Sequence, residues 1–298
     1  MAREEREFRC GFVAVAGRPN VGKSTLLNTL MGRKVTIVSD KPQTTRTRIT
    51  AVLNLDRAQV VFLDTPGVHR PRHLLGDRMV RGALATVQDA DLVLFLVEPG
   101  PPGPGDRFVL ERLGTVPVFL VINKVDRCAR SRLLEVIDVW RGQRDFAEIV
   151  PVSAKTGENT DRLLDLVVRR LPTGPACYPR EMVTDRPAEF LMAELVREQV
   201  LALTAQEVPH TVAVVVEENA ARPDGTRYVR ATVYTEKENQ KAILVGHGGA
   251  MLKEVGTRAR REMEAVFGHK FYLDLWVKVK DDWRNREALL EGFGYGRD

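Results

Sequence analysis

The chain is short of several things whose absence narrows its identity. It has three cysteines in 298 residues, Cys10, Cys128 and Cys177, odd in number and widely spaced. That argues against a disulfide framework and against a cysteine-based zinc site, so three reduced thiols with structural roles are expected. Long hydrophobic runs are also missing. The most apolar stretches, LVLFLV (92–97) and VPVFLVI (116–122), fall far short of the ~20 residues that cross a bilayer. The opening MAREEREFRC is too charged for a signal peptide, and a cytoplasmic location is expected. No repeat and no low-complexity tract is visible. Finally, the second half lacks a basic excess. Residues 1–182 hold 28 basic and 21 acidic side chains, whereas residues 183–298 hold 17 and 19. If the second half binds nucleic acid, it must do so through a local patch, and residues 237–270, with seven basic and four acidic side chains, form the candidate.

What is present is the composition of a globular protein, 44% hydrophobic and 29% charged, with room for two ordinary domains. Up to residue 171, short apolar runs (CGFVAVAG, TAVLNL, QVVFLDT, DLVLFLVE, VPVFLVINK, AEIVPVS) alternate with amphipathic stretches near 23–31, 73–87, 106–113, 131–141 and 159–171. Runs apolar throughout are buried on both faces, so this pattern predicts an α/β domain with a mostly parallel sheet and flanking helices. The stretch PTGPACYPREMVTDRP (172–187), with four prolines, reads as a connection. After it come a helical stretch (189–203), two alternating strands (TVAVVVEE, TRYVRATVYTE), a helix, a glycine turn, a longer helix and the strand KFYLDLWVKV, together a small α+β unit. The expected division is 1–174, a linker at 175–187, and 188–298 with a C-terminal tail.

Gly17-Arg18-Pro19-Asn20-Val21-Gly22-Lys23-Ser24 follows an apolar strand and opens a helix, the context that makes G-x-x-x-x-G-K-[ST] specific. Its backbone N–H groups can surround phosphate oxygens at a helix N-terminus, Lys23 adds a point charge, and the Ser24 hydroxyl can ligate Mg²⁺. Asp64-Thr65-Pro66-Gly67 ends the strand QVVFLD, where Asp64 can reach Mg²⁺ through water and Gly67 can offer its N–H to a γ-phosphate. In KPQTTRTR (41–48), Thr45 rather than Thr44 is chosen to complete the metal shell. Lys23, Thr45 and Gly67 are thus the candidates for assisting hydrolysis. Asn123-Lys124-Val125-Asp126 selects guanine, because a carboxylate at Asp126 can accept from both N1–H and the 2-amino group, donors that adenine lacks on that edge. This argues against a metabolic P-loop kinase. Ser153-Ala154-Lys155 follows the last strand, where the Ala154 N–H can meet the base O6.

These motifs, in this order, resemble GTPases of the translation-factor class. With VGHGGAMLKEVG and LWVKVK added, the chain resembles the Era family of bacterial GTPases over essentially its whole length. That resemblance implies a G domain fused to a type II KH domain that binds the 3′ end of 16S ribosomal RNA during assembly of the small (30S) subunit. Val68 stands where Ras-like proteins place a water-orienting glutamine, so intrinsic hydrolysis is expected to be slow. Asn20 has two readings. In related GTPases an asparagine here helps hold K⁺, while asparagine is also a common turn former. Gly246-His247-Gly248-Gly249, between two helices, is either a helix cap or the GXXG loop that clamps about four nucleotides of a single strand, and the flanking pattern favours the loop. Lys253 on the next turn can meet a phosphate, and Arg258, Arg260 and Arg261 extend the basic face or are simply solvated. A monomer is expected, with peripheral association at the inner face of the cell membrane as a further expectation. The alternative is a GTP-regulated scaffold whose second domain meets a protein or an acidic membrane surface.

Overall fold

The computed structural model describes residues 7–67, 71 and 73–296. Its contacts separate two units. One comprises the described residues up to Val35, those of 45–71 and Arg78–Asp185, and the other comprises Thr36–Thr44, the described part of 72–77 and the described residues from Arg186 onward.

In chain order the elements before residue 172 are β1 (Arg9–Ala16), α1 (Lys23–Met31), β2 (Ile49–Asn54), β3 (Ala58–Asp64), α2 (Leu74–Gln88), β4 (Leu92–Val97), α3 (Pro104–Leu110), β5 (Val118–Ile122), α4 (Arg130–Arg141), β6 (Glu148–Pro151) and α5 (Thr160–Arg170). Every residue of β3, β4 and β5 is buried, which is why β4 and β5 are apolar throughout and β3 carries the run VVFL rather than an alternation. The sheet order is β2-β3-β1-β4-β5-β6, with β2 antiparallel to β3 and all other pairs parallel. Because β3 lies on one side of β1 and β4 on the other, the strand order reverses at β1. A crevice at the carboxyl ends of the strands is the place such sheets offer a ligand. The loops after β1, β3, β5 and β6 all leave from that edge.

The stretch expected to be a linker is not a loose tether through most of its length. Val183 accepts from the Val52 N–H at 2.8 Å, Met182 from Asn54 Nδ2 at 3.2 Å and Tyr178 from Gln59 Nε2 at 2.8 Å. Residues 172–185 are therefore a strap along β1, β3 and the edge strand β2. Proline removes donors but leaves carbonyls, and an edge strand supplies the unpaired N–H groups that such carbonyls can satisfy.

The second unit contains α6 (Ala188–Leu203), α7 (Val208–Thr211), β7 (Ala213–Ala221), β8 (Arg227–Thr235), α8 (Glu238–Val245), α9 (Ala250–Phe267), β9 (Phe271–Val279) and α10 (Glu287–Gly292). The sheet order is β7-β8-β9, antiparallel then parallel. One face packs on helices: Val229, Ala231 and Val233 of β8 join Val196 and Val200 of α6 and Val255, Ala259 and Met263 of α9 in one core. The two-residue period of β9 buries Phe271 and leaves Tyr272 and Trp276 about half exposed on the opposite face. The C-terminal segment read as a tail is folded. Trp283 is fully buried, donates from Nε1 to the Thr211 carbonyl at 2.8 Å and stacks on Tyr295 at 5.8 Å. This segment is too short to show a period, so only its aromatics signalled burial.

Candidate functional site

The loop from Gly17 to Gly22 needs its glycines. At Gly22, with φ of 98°, an added Cβ would come within 2.3 Å of Asn123 Nδ2; at Gly17 it would come within 2.5 Å of the Leu96 carbonyl oxygen. Lys23, the first residue of α1, folds back so that Nζ donates to the carbonyls of Gly17 and Arg18, each at 3.1 Å. Burial lowers its pKa to about 8, against the opposing pull of the Asp64 carboxylate.

Three oxygen donors converge beside it. Ser24 Oγ lies 3.0 Å from Thr45 Oγ1 and donates to Asp64 Oδ2 at 3.1 Å, and Thr45 Oγ1 reaches the same carboxylate oxygen at 3.4 Å. Asp64 is fully buried at the end of β3. A buried carboxylate with two hydroxyls is a hard, all-oxygen donor set, which suits Mg²⁺. The Thr44 hydroxyl instead donates to the Lys41 carbonyl at 2.7 Å. Thr65 is held by a 2.8 Å hydrogen bond to the Val15 carbonyl, and Pro66 and Gly67 are buried beside it. A Cβ on Gly67 would meet Pro19 backbone atoms at 2.9 Å, so the 64–67 loop lies directly against the loop after β1. Val68 falls outside the described residues.

At the other end, Asn123 ties three loops together: Nδ2 donates to the Val21 carbonyl at 2.8 Å, and Oδ1 accepts the Ala154 N–H at 2.9 Å. The Ala154 N–H, expected to face a base oxygen, is thus engaged within the protein, and presenting it to a base requires sharing or exchanging that bond. Asp126 Oδ1 accepts from Ser153 Oγ at 2.7 Å, which orients the carboxylate. Lys124 donates to the Asn20 carbonyl at 2.7 Å, and Lys155 is exposed.

Glu98, at the end of β4, escaped the sequence reasoning. It pairs with Arg18 and with Lys124, and Arg18 also bonds to Asp106 at 3.2 Å. Burial pushes the Glu98 carboxyl up, but the hydrogen bonds from Lys124 and Arg18 outweigh it and hold the group below its ordinary value. A carboxylate one residue past a buried strand, on the same edge as Asp64, was the available signal. Arg18 is therefore tied down by two carboxylates.

In the second unit, the loop between α8 and α9 has φ of 71° at Gly246, 58° at Gly248 and 81° at Gly249. A Cβ at Gly246 would strike Met251 at 2.7 Å, whereas none of the described residues lies within 4 Å of one at Gly248 or Gly249. His247 and Gly248 are exposed, so the turn presents bare backbone to solvent. From Gly249 a groove of about 560 Å³ runs between α9 and β9, lined among others by Leu252, Lys253, Gly256, Arg260, Tyr272 and Leu275. Leu252, Gly256 and Leu275 were not singled out in the sequence; Gly256 is the helix position where Leu275 approaches to 3.3 Å of a would-be Cβ. Of the arginines, Arg258 pairs with Glu254 at 2.7 Å and Arg260 with Glu264 at 2.8 Å, while Arg261 is exposed.

Comparison with known proteins matches residues 12–124 to the family described as 50S ribosome-binding GTPase and residues 207–284 to the KH domain. The curated GTPase Era of Heliobacterium modesticaldum is 50% identical over 292 residues, 97% of this chain and 98% of that protein. The crystal structure of a point variant of Aquifex aeolicus Era bound to GDP·AlF4⁻ is 40% identical, with a TM-score of 0.94 over 97% of this chain and 100% of that one. A crystal structure of Era with MgGDPNP and nucleotides 1506–1542 of 16S ribosomal RNA is also 40% identical, with a TM-score of 0.94 over 97% and 99% of the two chains. With half of its residues identical to a curated Era along nearly all of both chains, this chain belongs to the Era family of GTPases.

Proposed function

We propose that the chain is a guanine-selective, Mg²⁺-dependent GTPase that binds the 3′ end of 16S ribosomal RNA through its KH domain and acts as a switch in small-subunit assembly. The observation that carries the reading is the bare glycine turn opening onto the α9–β9 groove, in a chain that aligns over 97% of its length with an Era bound to that RNA. In this proposal the exposed backbone of Gly248, with Gly249 beside it, lets a sugar-phosphate chain approach closely, and Lys253 and Arg260 meet phosphates.

In the first unit Ser24 and Thr45 would ligate Mg²⁺ directly and Asp64 through water, holding a cation that would supply charge neutralisation at the outer phosphate oxygens. Lys23 would exchange its two loop carbonyls for phosphate oxygens. The Gly67 N–H would bond the γ-phosphate, and Asp126, oriented by Ser153, would accept from guanine. With Val68 after Gly67 and no polar group in its side chain to hold water, intrinsic turnover is slow. The same proposal gives Asn20 to K⁺. Its φ of 65° also fits a loop-shaping role, since asparagine tolerates that conformation better than most residues.

The test uses the full chain and single-stranded RNA carrying the 16S 3′ end. Wild type should bind it and Gly248→Asp should not, with GTP affinity equal in both. Equal RNA affinity in the two proteins would make the turn a helix cap and favour the scaffold reading, in which the second unit meets a protein or an acidic membrane surface.

A further inference from the structure

Two of the three thiols, 167 positions apart in the sequence, are neighbours in the fold. Cys10, the second residue of β1, is 5% exposed, and Cys177, in the strap, is exposed; their Sγ atoms are 2.6 Å apart. Their approach is fixed by backbone. The Cys10 N–H donates to the Pro172 carbonyl at 3.1 Å, anchoring the start of the strap. Gln59, fully buried and paired with Cys10 across β1 and β3, accepts on Oε1 from the N–H groups of Cys177 at 2.8 Å and Tyr178 at 2.9 Å, and donates from Nε2 to the Tyr178 carbonyl at 2.8 Å. The Cys10 thiol also points at Gln59 Oε1, 3.6 Å away. One buried amide therefore holds both cysteines, and a bond of about 2.05 Å between their sulfurs requires only a small closure.

We propose that Cys10 and Cys177 are a redox modification site: they form a reversible intramolecular disulfide that pins the strap to β1, with a low-molecular-weight disulfide as oxidant and its thiol as reductant. The exposed Cys177 enters first. Its thiolate attacks one sulfur of the oxidant, the oxidant's S–S bond breaks, and one thiol leaves with the proton that Cys177 gave up. Cys10, as thiolate, then attacks the Cys177 sulfur, and the second half of the oxidant leaves as a thiol with the Cys10 proton. Two protein thiols are oxidised to one disulfide, and one small disulfide is reduced to two thiols. Cys10, only 5% exposed, cannot meet an oxidant in solution and is the resolving rather than the entering group; burial, reinforced by the hydrogen bond to Cys177, also pushes its thiol up to about 11, so few copies carry the thiolate at any moment. Cys128, whose Sγ contacts the Ala129 carbonyl at 3.5 Å, belongs to neither step. In a reducing compartment such a pair reports redox state rather than building the fold.

The experiment treats the full-length protein with oxidised glutathione, alkylates it under denaturing conditions, counts free thiols and maps them by mass spectrometry. The expected result is a fall from three free thiols to one. Cys10 and Cys177 should be lost together as a linked peptide pair in monomeric protein, Cys128 should remain alkylated, and dithiothreitol should restore all three. In Cys177→Ser, a change at an exposed position, Cys10 should stay free under the same treatment. Tryptic cleavage after Arg180 in native protein should slow at least about tenfold on oxidation, because peeling the strap then works against a covalent link. Three persisting thiols, glutathione left on Cys177 beside a free Cys10, or a bond to Cys128 or to a second copy would overturn the proposal.

Discussion

At Lys23, a lysine needed as a cation lies where burial disfavours the charge. Its pKa is lowered to about 8. A bound phosphate restores the charged form, so nucleotide binding takes up a proton wherever free Lys23 is partly neutral. At pH 8 the uptake should be about half a proton per nucleotide and at pH 7 about a tenth, with affinity falling as pH rises through 8. Calorimetry in buffers of different ionisation enthalpy measures it; zero uptake at pH 8 would mean that Lys23 keeps its charge. Asp126→Asn should weaken GTP by about 1.5–3 kcal/mol and shift preference to xanthosine triphosphate, read by competition binding. If Asn20 holds K⁺, replacing K⁺ by Na⁺ should slow hydrolysis in wild type and leave Asn20→Ala unchanged. The residues along single motifs were legible because their chemistry is local. Glu98 was not, since its partners Arg18 and Lys124 lie on other loops, and the 2.6 Å approach of Cys10 to Cys177 joins residues 167 positions apart.

Elements were legible where a period ran long enough. Lys23–Met31 and Ala250–Phe267 are helices where spacing put them, and β4 and β5 are buried as their unbroken apolar runs required. The strap and the C-terminal segment were not, because a proline-rich stretch and a short aromatic one take their order from the surface that receives them. For the α8–α9 turn the two glycine types separate. Gly248 has open space and a φ of 58° that aspartate tolerates, so Gly248→Asp should fold and lose RNA. Gly246→Ala, striking Met251, should instead lower the melting temperature of the second unit as well. Lys253→Ala should leave the turn intact and flatten the salt dependence of RNA binding by about 0.7 in log–log slope, one phosphate contact on a single strand. An unchanged slope would take Lys253 off the RNA.

At the scale of the whole molecule, the chain carries a phosphate and guanine site on one unit and a groove with a bare glycine turn on the other, and its second half has no net positive charge to draw RNA from a distance. Binding there must be local and shaped. The most direct test is to photocross-link the full chain, with Mg²⁺ and a non-hydrolysable GTP analogue, to RNA carrying the 16S 3′ end, and to map the adducts by mass spectrometry. Cross-links should concentrate between Gly246 and Arg260 and along the groove side of β9. Cross-links confined to the face of Arg222, Tyr228 and Trp276, or none at RNA concentrations that saturate binding, would show that the RNA does not lie in the groove.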